Sequence, residues 1–308
     1  MTPPRTEGNG GGFPLRTGNS FEVQSPHKVK SPTPKVRSDF PFYSAILGVS
    51  GIYLLLILGM LVADVWYTST NVSVREISSI LRNEYIRSSV RLTLVTCTVT
   101  AILSILVAVP TGYLLSRYQF RGKTLIDAVL DIPIVLPPLV VGLSLLLLFN
   151  KMPPWGPSFE KMLGGNFTYN VPAVILSQFT VACAFAVRTM RNTFDQISPR
   201  AEQVALTLGC NRGRAFCFIV VPEAWRGIST AGTLAWTRAM GEFGPILVFA
   251  GAIRGKTEVL SSSVFLEVSV GNLEGAVVVS LMMVTIAIIV LVAVRMWDKG
   301  SREDFYHD

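Results

Sequence analysis

The sequence predicts an all-α integral membrane protein with six transmembrane helices and with both termini on the cytoplasmic side. Half of its 308 residues are hydrophobic and only 15% are charged, and the mean hydropathy is +0.48. Soluble domains carry about 25% charged residues, so this balance favours a membrane protein. Two further observations specify the fold class, namely six apolar stretches of spanning length and an uneven distribution of lysine and arginine.

The first 41 residues are predicted to be a disordered basic tail. They are rich in Gly, Pro, Ser and Thr and carry scattered cations, so they cannot bury enough apolar surface to fold. We expect this tail to be solvated and weakly attracted to anionic membrane lipid. The net charge of +7 does not indicate nucleic acid, because the basic residues are spread between apolar segments rather than gathered on one domain.

Six apolar stretches follow, each close to the ~20 residues needed to cross a bilayer. They are placed at residues 42–66, 89–115, 125–149, 171–188, 229–250 and 276–297. The first transmembrane helix and its outer loop therefore occupy 42–87, the main transmembrane domain 88–297, and a cytoplasmic tail 298–308. With both termini inside, the inner segments hold roughly 18 basic residues and the outer loops roughly 8, which satisfies the positive-inside rule.

The third stretch contains Asp131, Pro133, Pro137 and Pro138. Each proline removes a backbone donor and strains the preceding turn, so a kink or break is expected near mid-membrane. Two interpretations stay open, a helix kinked for packing and a helix that lines a pathway.

The fifth stretch carries Arg238 and Glu242, which are four residues apart and so share one helical face. Because a charge at the bilayer centre costs roughly 2.5–3.5 kcal/mol on insertion scales, such residues face the bundle interior and pair. The pair is either a structural ion pair or an element near a gate. Small and polar residues, Thr237 among them, are compatible with close helix packing and equally with the lining of a water-filled pathway.

The polar segment 201–225 interrupts the apolar pattern and has the layout of two short helices joined at Gly209. Ser198 and Pro199 suit a helix start, Gly209 suits a left-handed helix end, and Pro222 is expected to end the second helix. An apolar stripe on the first helix is predicted at Ala201, Val204, Ala205 and Leu208. Helices this short need a surface to lie against, which indicates a partner.

Residue patterns for catalysis and metal binding do not occur. The sequence contains no HExxH and no GxSxG, and its four cysteines have no CxxC spacing. Two GKT triplets, 122–124 and 255–257, lack the earlier glycine of a phosphate loop. We therefore predict no catalytic residue and no metal site. An intramembrane enzyme is kept as the alternative from a different class, and an ion channel or proton-coupled carrier as a further one.

The polar segment resembles the EAA loop of binding-protein-dependent ABC importer permeases. The sequence QVALTLG is followed by nine residues and then IVVP, which matches the family's glycine-to-proline spacing. The residues assigned to ATPase coupling are the motif positions Gln203, Val204, Ala205, Gly209, Ile219 and Pro222, together with Glu202 beside them. Gln203 stands where the family has its glutamate, so docking is expected to depend on shape and the glycine turn more than on that charge.

A second resemblance, TRAMGEFGPILVFAGAIRGKTEVL at 237–260, is to the molybdate and sulfate permeases. VLPP in the third stretch and GNLEGA before the sixth look closer to the molybdate side. Together the resemblances imply a MetI-like permease with cytoplasmic coupling helices in the bacterial inner membrane. They favour molybdate as the substrate, with sulfate, thiosulfate or tungstate as alternatives.

The same resemblance implies partners that this chain does not contain. These are ABC ATPase subunits that bind ATP and Mg²⁺, an extracytoplasmic anion-binding protein, and a second permease subunit, identical or related. No cofactor is expected on the chain itself. The predicted translocation pathway or gate comprises Pro137, Pro138, Thr237, Arg238 and Glu242.

Overall fold

The computed structural model describes residues 40–151 and 167–303. The predicted tail therefore lies almost wholly outside the described residues, as do 152–166 and 304–308. All regular structure in the described part is helical. The chain divides into two compact units, 1–55 and 56–308, and the helices discussed below belong to the second unit apart from the beginning of the first helix.

The helices are as follows. They are α1 Phe40–Asn71, α2 Val74–Arg82, α3 Glu84–Arg117, α4 Lys123–Val135, α5 Pro138–Asn150, α6 Val171–Gln196, α7 Arg200–Thr207, α8 Arg212–Ala215, α9 Trp225–Met240, α10 Leu260–Ser269 and α11 Leu273–Glu303. Two π-helical segments, Phe216–Val220 and Ile246–Ala250, and a short turn of helix, Val221–Glu223, complete the list. The predicted C-terminal tail, 298–308, begins as a continuation of α11.

Four described helical segments are long and apolar enough to cross a membrane, namely Ile46–Asn71, Glu84–Arg117, Val171–Gln196 and Leu273–Met296. The pair α4 and α5 gives a fifth if it counts as one broken span. The predicted span at 229–250 is not one continuous helix, because α9 ends at Met240 and a π-helical segment follows only from Ile246. The count of six and the orientation stay predictions.

The break predicted in the third stretch is confirmed, with α4 and α5 bent by 112°. A residue before proline is forced out of the α region, and here two such residues follow each other. Leu136 precedes Pro137 with ψ of 141°, and Pro137 precedes Pro138 with ψ of 135°. Pro133 lies inside α4 without ending it, so the double proline causes the break.

Helices α3, α6 and α9 pack together around one core of small side chains. Ala182, Ala186, Ala231 and Ala235 are fully buried there. Helix α3 approaches α6 so closely that a Cβ at Gly112 would come within 2.8 Å of the Cβ of Met190. Small residues permit this close approach between spanning helices, and the three helices together form the scaffold for the polar segment 201–225 and the predicted pathway residues.

Candidate functional site

The polar segment forms the predicted pair of short helices, and Gly209 makes the turn between them. Gly209 has φ of +88°, which confirms the predicted left-handed helix end. Its N–H donates to the carbonyl of Leu206 at 3.1 Å, and the N–H of Cys210 donates to the carbonyl of Ala205 at 3.0 Å. This is the Schellman pattern that satisfies the last carbonyls of a helix. The next helix, α8, is capped by Asn211, whose side chain accepts from the N–H of Arg214 at 2.8 Å.

The predicted apolar stripe on α7 is mostly exposed within this chain. Glu202 and Ala205 are buried, whereas Val204 is 58% exposed and Leu208 is 83% exposed. Gln203 is exposed as well. Helical spacing alone could not show that the carboxylate of Glu202, rather than an aliphatic side chain, lies on the buried face of α7.

The Glu202 carboxylate is turned toward the C-terminal end of α3 rather than toward the exposed face. It accepts a hydrogen bond from the hydroxyl of Tyr113, and Nε of Arg117 lies 3.8 Å away. Arg117 in turn donates to the carbonyl of Ile197 at 3.0 Å. Glu202 therefore anchors α7 to the membrane scaffold and is not available on the exposed face.

The predicted helix stop at Pro222 is also wrong. The chain passes from α8 through the π-helical segment into the turn Val221–Glu223, and α9 begins at Trp225. Pro222 stands in the first turn of the short helix, where its missing N–H is tolerated. Ile219 is half-buried and Pro222 is exposed. Phe218, in the π-helical segment after α8, is 77% exposed.

The candidate pathway lies where two helix breaks meet. A Cβ at Gly244 would come within 2.8 Å of the Cβ of Pro138, and one at Gly142 would come within 2.8 Å of the Cα of Pro245. The start of α5 therefore packs directly on the irregular backbone after α9, and glycine is needed on both sides. The structure thus brings Pro138 together with the segment that follows Arg238, although these positions are more than a hundred residues apart.

Serine hydroxyls satisfy carbonyls that this irregular backbone leaves free. Oγ of Ser261 donates to the carbonyl of Glu242 at 2.7 Å, and Oγ of Ser177 donates to the carbonyl of Pro245 at 3.4 Å. Non-helical backbone at membrane depth is tolerated only when protein or a water-filled cavity covers it. The fold therefore stabilises the irregular backbone after α9 with specific hydrogen bonds.

The predicted pair Arg238–Glu242 is confirmed. Nη2 of Arg238 lies 2.9 Å from Oε1 of Glu242, whose side chain is 1% exposed. The Arg238 guanidinium also lies over the ring of Phe185, 5.4 Å from its centroid. Thr237 donates back into its own helix, to the carbonyl of Thr233 at 2.9 Å. The arginine is one-third exposed, so this pair reaches from the protein interior to an open face.

Two further ion pairs join α4 to α6, and the sequence reasoning did not identify them. Asp127 lies 2.7 Å from Arg191, and Asp131 lies 3.7 Å from Arg188. The available signal was the spacing, four residues between the aspartates and three between the arginines, which places each set on one helical face.

The second GKT triplet has a local structural use. The hydroxyl of Thr257 donates to the carbonyl of Ala250 at 2.9 Å and accepts from the N–H of Ile253 at 2.9 Å. Gly251 and Gly255 have φ of +81° and +74°. Thr257 is fully buried, so the triplet closes the turn between the second π-helical segment and α10.

Comparison with known proteins identifies the class. A family model described as "Binding-protein-dependent transport system inner membrane component" matches residues 80–303. The chain belongs to this family. It is consequently a multi-pass membrane protein and a transport subunit rather than an enzyme.

Relatives and solved structures agree with this assignment. The sulfate transport system permease protein CysT of Escherichia coli K12 is 30% identical over 229 residues, covering 74% of this chain and 82% of the relative. The molybdate/tungstate permease protein WtpB of Thermococcus kodakarensis is 29% identical over 70% of this chain and 80% of its own length. The molybdenum permease protein ModB of Escherichia coli K12 is 32% identical over 65% of this chain and 90% of its own.

The fold also resembles that of a bacterial alginate ABC transporter crystallised with an alginate-bound periplasmic protein. The TM-score is 0.68 at 14% sequence identity, and the match covers 86% of this chain and 95% of that chain. At this identity the likeness supports the fold alone.

Proposed function

We propose that this chain is the transmembrane permease subunit of an ABC importer for a tetrahedral oxyanion. The observation that carries the proposal is the exposed coupling surface within the matched family region. Three apolar side chains of this segment, Val204, Leu208 and Phe218, are 58%, 83% and 77% exposed, the first two before the turn at Gly209 and the third after it. Exposed apolar side chains held on a short helix pair are suited to docking into a groove of another protein.

The partners proposed on this basis are two ABC ATPase subunits, a second permease subunit and an extracytoplasmic anion-binding protein. The ATPases hold the ATP and Mg²⁺, and this chain holds no cofactor. Nucleotide can drive access changes only by binding two ATPase arrangements with different affinity. The coupling surface at Gln203–Pro222 then transmits that difference to the spans.

In this proposal the chain crosses the bacterial inner membrane six times, with both termini inside. The coupling surface lies in the cytoplasm, and the break at Pro137 and Pro138 lies against the pathway together with Arg238 and Glu242. The basic N-terminal tail lies near membrane lipid. Cysteine accessibility at residues 121 and 254 tests the topology, because only residue 254 should react with an impermeant thiol reagent added outside intact spheroplasts.

For the ion itself we propose molybdate, supported by the VLPP and GNLEGA segments and by the likeness to the molybdenum and molybdate/tungstate permeases. Sulfate is the second candidate, favoured by the similarity to the sulfate permease over 74% of this chain.

Reconstitution tests the substrate and the mechanism together. The permease, its ATPase and its binding protein are placed in proteoliposomes, and uptake of labelled molybdate is measured with tungstate and sulfate as competitors. We expect ATP-dependent uptake that requires the binding protein. Turnover by the purified chain without ATP, or uptake without the ATPase, would contradict the proposal.

A further inference from the structure

Two ion pairs join α4 to α6 at the C-terminal end of the predicted span 171–188. Asp127 and Arg191 make the short contact, at 2.7 Å, and their side chains are 24% and 34% exposed. The second pair, nearer the helix break after α4, is different. Asp131 and Arg188 are 3.7 Å apart, with 42% and 61% of their side chains exposed. The second pair is therefore loose and open.

The depth of Arg188 follows from its neighbour Phe185. The guanidinium of Arg238 lies 5.4 Å from the Phe185 ring, and Phe185 and Arg188 are three residues apart on one face of α6. At a rise of 1.5 Å per residue, Arg188 lies about 4.5 Å further along the helix axis. Arg188 is thus one turn from the level of the Arg238–Glu242 pair, inside the segment Val171–Gln196 that is long and apolar enough to span.

Hydrocarbon cannot cover this pair. Charged side chains within spanning segments face the bundle interior or a water-filled cavity, because their transfer into lipid is costly. An ion pair buried in protein would lose most of its exposure, whereas more than half of the Arg188 side chain is open. The exposed α4–α6 face at Asp131 and Arg188 therefore needs water around it, and it lies about one turn along α6 from the contact between Phe185 and Arg238.

We propose that Arg188 is a second anion contact of the translocation pathway, one helical turn inward of Arg238. Asp131 pairs with it while the pathway is empty, and a tetrahedral dianion replaces Asp131 in transit. A guanidinium binds carboxylates and tetrahedral oxyanions with the same donor geometry, and a loose, exposed pair is opened at little cost. This inference depends on the proposed function, because it assigns a residue to the path of that oxyanion.

The test uses the complete transporter in proteoliposomes, with labelled molybdate and sulfate as probes and complex yield and binding-protein-stimulated ATP hydrolysis as further readouts. We expect Arg188→Gln to lower the initial uptake rate by about tenfold or more, as the loss of a charge-assisted contact does, and to leave complex yield unchanged. Arg188→Lys keeps the charge and should retain more of the rate. Arg121→Gln, at an exposed arginine before α4, serves as the matched control and should transport normally.

The double variant Asp131→Asn/Arg188→Gln separates the pathway role from a structural one. If the pair only holds α4 to α6, removing both charges should restore transport, because no unpaired charge is left. If Arg188 contacts the anion, the double variant should stay as slow as Arg188→Gln. Normal uptake by Arg188→Gln, recovery in the double variant, or loss of complex yield in both would overturn the inference. A wild-type transporter that carries none of the oxyanions would instead refute the proposed function.

Discussion

Nη2 of Arg238 lies 2.9 Å from Oε1 of Glu242, directly where α9 ends and the backbone becomes irregular. The glutamate is almost fully buried and the arginine is partly open. Removing one partner of such a pair leaves an uncompensated charge, which is strongly destabilising when the remaining charge is buried. The asymmetry makes the arginine the member that can change partners, since its side chain already reaches an open face.

We expect Arg238→Ala and Glu242→Ala to lower uptake by about tenfold or more and to reduce complex yield by less, with the larger yield loss for Arg238→Ala because it leaves the buried Glu242 carboxylate unpaired. The physical reason is that both residues stand beside the paired helix breaks, where a lost charge alters the pathway more than the scaffold. Uptake in proteoliposomes and detergent-stable complex yield are measured side by side, with Arg121→Ala as the control. Equal losses in both readouts would indicate a purely structural ion pair.

Gly209 has φ of +88° and open space around it, so backbone conformation rather than crowding requires glycine there. Placing an L-residue in the left-handed region costs roughly 1–2 kcal/mol, which shifts the turn between α7 and α8. We expect Gly209→Arg to insert normally into the membrane but to lose co-purification with the ATPase, and Gly209→Ala to weaken it.

Gly122 offers the control for this prediction, because it also has a positive φ, +92°, and open space around it but lies outside the coupling surface. Alanine there should leave co-purification intact. A Gly209→Arg protein that still binds the ATPase and supports uptake would refute the coupling assignment.

The anchoring of Glu202 can be tested separately from docking. Tyr113→Phe removes the hydroxyl that donates to the buried carboxylate, and leaving such a group unsatisfied costs about 1–3 kcal/mol. We expect faster amide hydrogen exchange in α7 and a weaker stimulation of ATP hydrolysis by the binding protein. Tyr118→Phe, which removes an exposed hydrogen bond to Arg212, should change neither. Unaltered exchange in α7 of the Tyr113→Phe protein would show that Glu202 does not anchor the helix.

The close approach of the two helix breaks predicts a strong dependence on Gly244. A Cβ there would meet the Cβ of Pro138 at 2.8 Å and the backbone N of Leu139 at 3.0 Å, so α5 must shift. Overpacking of this kind costs about 1–3 kcal/mol. We expect Gly244→Ala to lower the melting temperature of the purified complex and its uptake rate. Gly59→Ala, where no atom lies within 4 Å, is the matched control, and equal melting temperatures for the two variants would argue against the contact.

The sequence predicted those features that depend on neighbouring residues. The double proline at 137–138 forces its own break, Gly209 reaches its conformation through its own backbone, and Arg238 and Glu242 are close by spacing. Features that depend on packing between distant segments were missed or wrong. The burial of Glu202 needs Tyr113 from α3, and the meeting of the two breaks needs Gly142 and Gly244 in contact with segments about a hundred residues away.

Glu258 provides a prediction about pH. Its side chain is buried, Oε1 accepts from the hydroxyl of Ser263 at 2.8 Å, and Oε2 has no hydrogen-bond partner among the described residues. Burial raises the pKa of this carboxyl above its ordinary value, and the Ser263 hydrogen bond opposes the rise only in part. The folded state therefore holds the proton more tightly than the unfolded state, so stability is greatest below the unfolded pKa and declines as the pH rises through the folded pKa.

Glu258→Gln should consequently raise the melting temperature near neutral pH and lose this advantage on acidification. Thermal unfolding of the purified complex between about pH 5 and pH 8 measures the difference, with the exposed Glu223→Gln as the control. A gain that is larger at acid pH, or one that equals the control throughout, would contradict a raised pKa of Glu258 in the folded state.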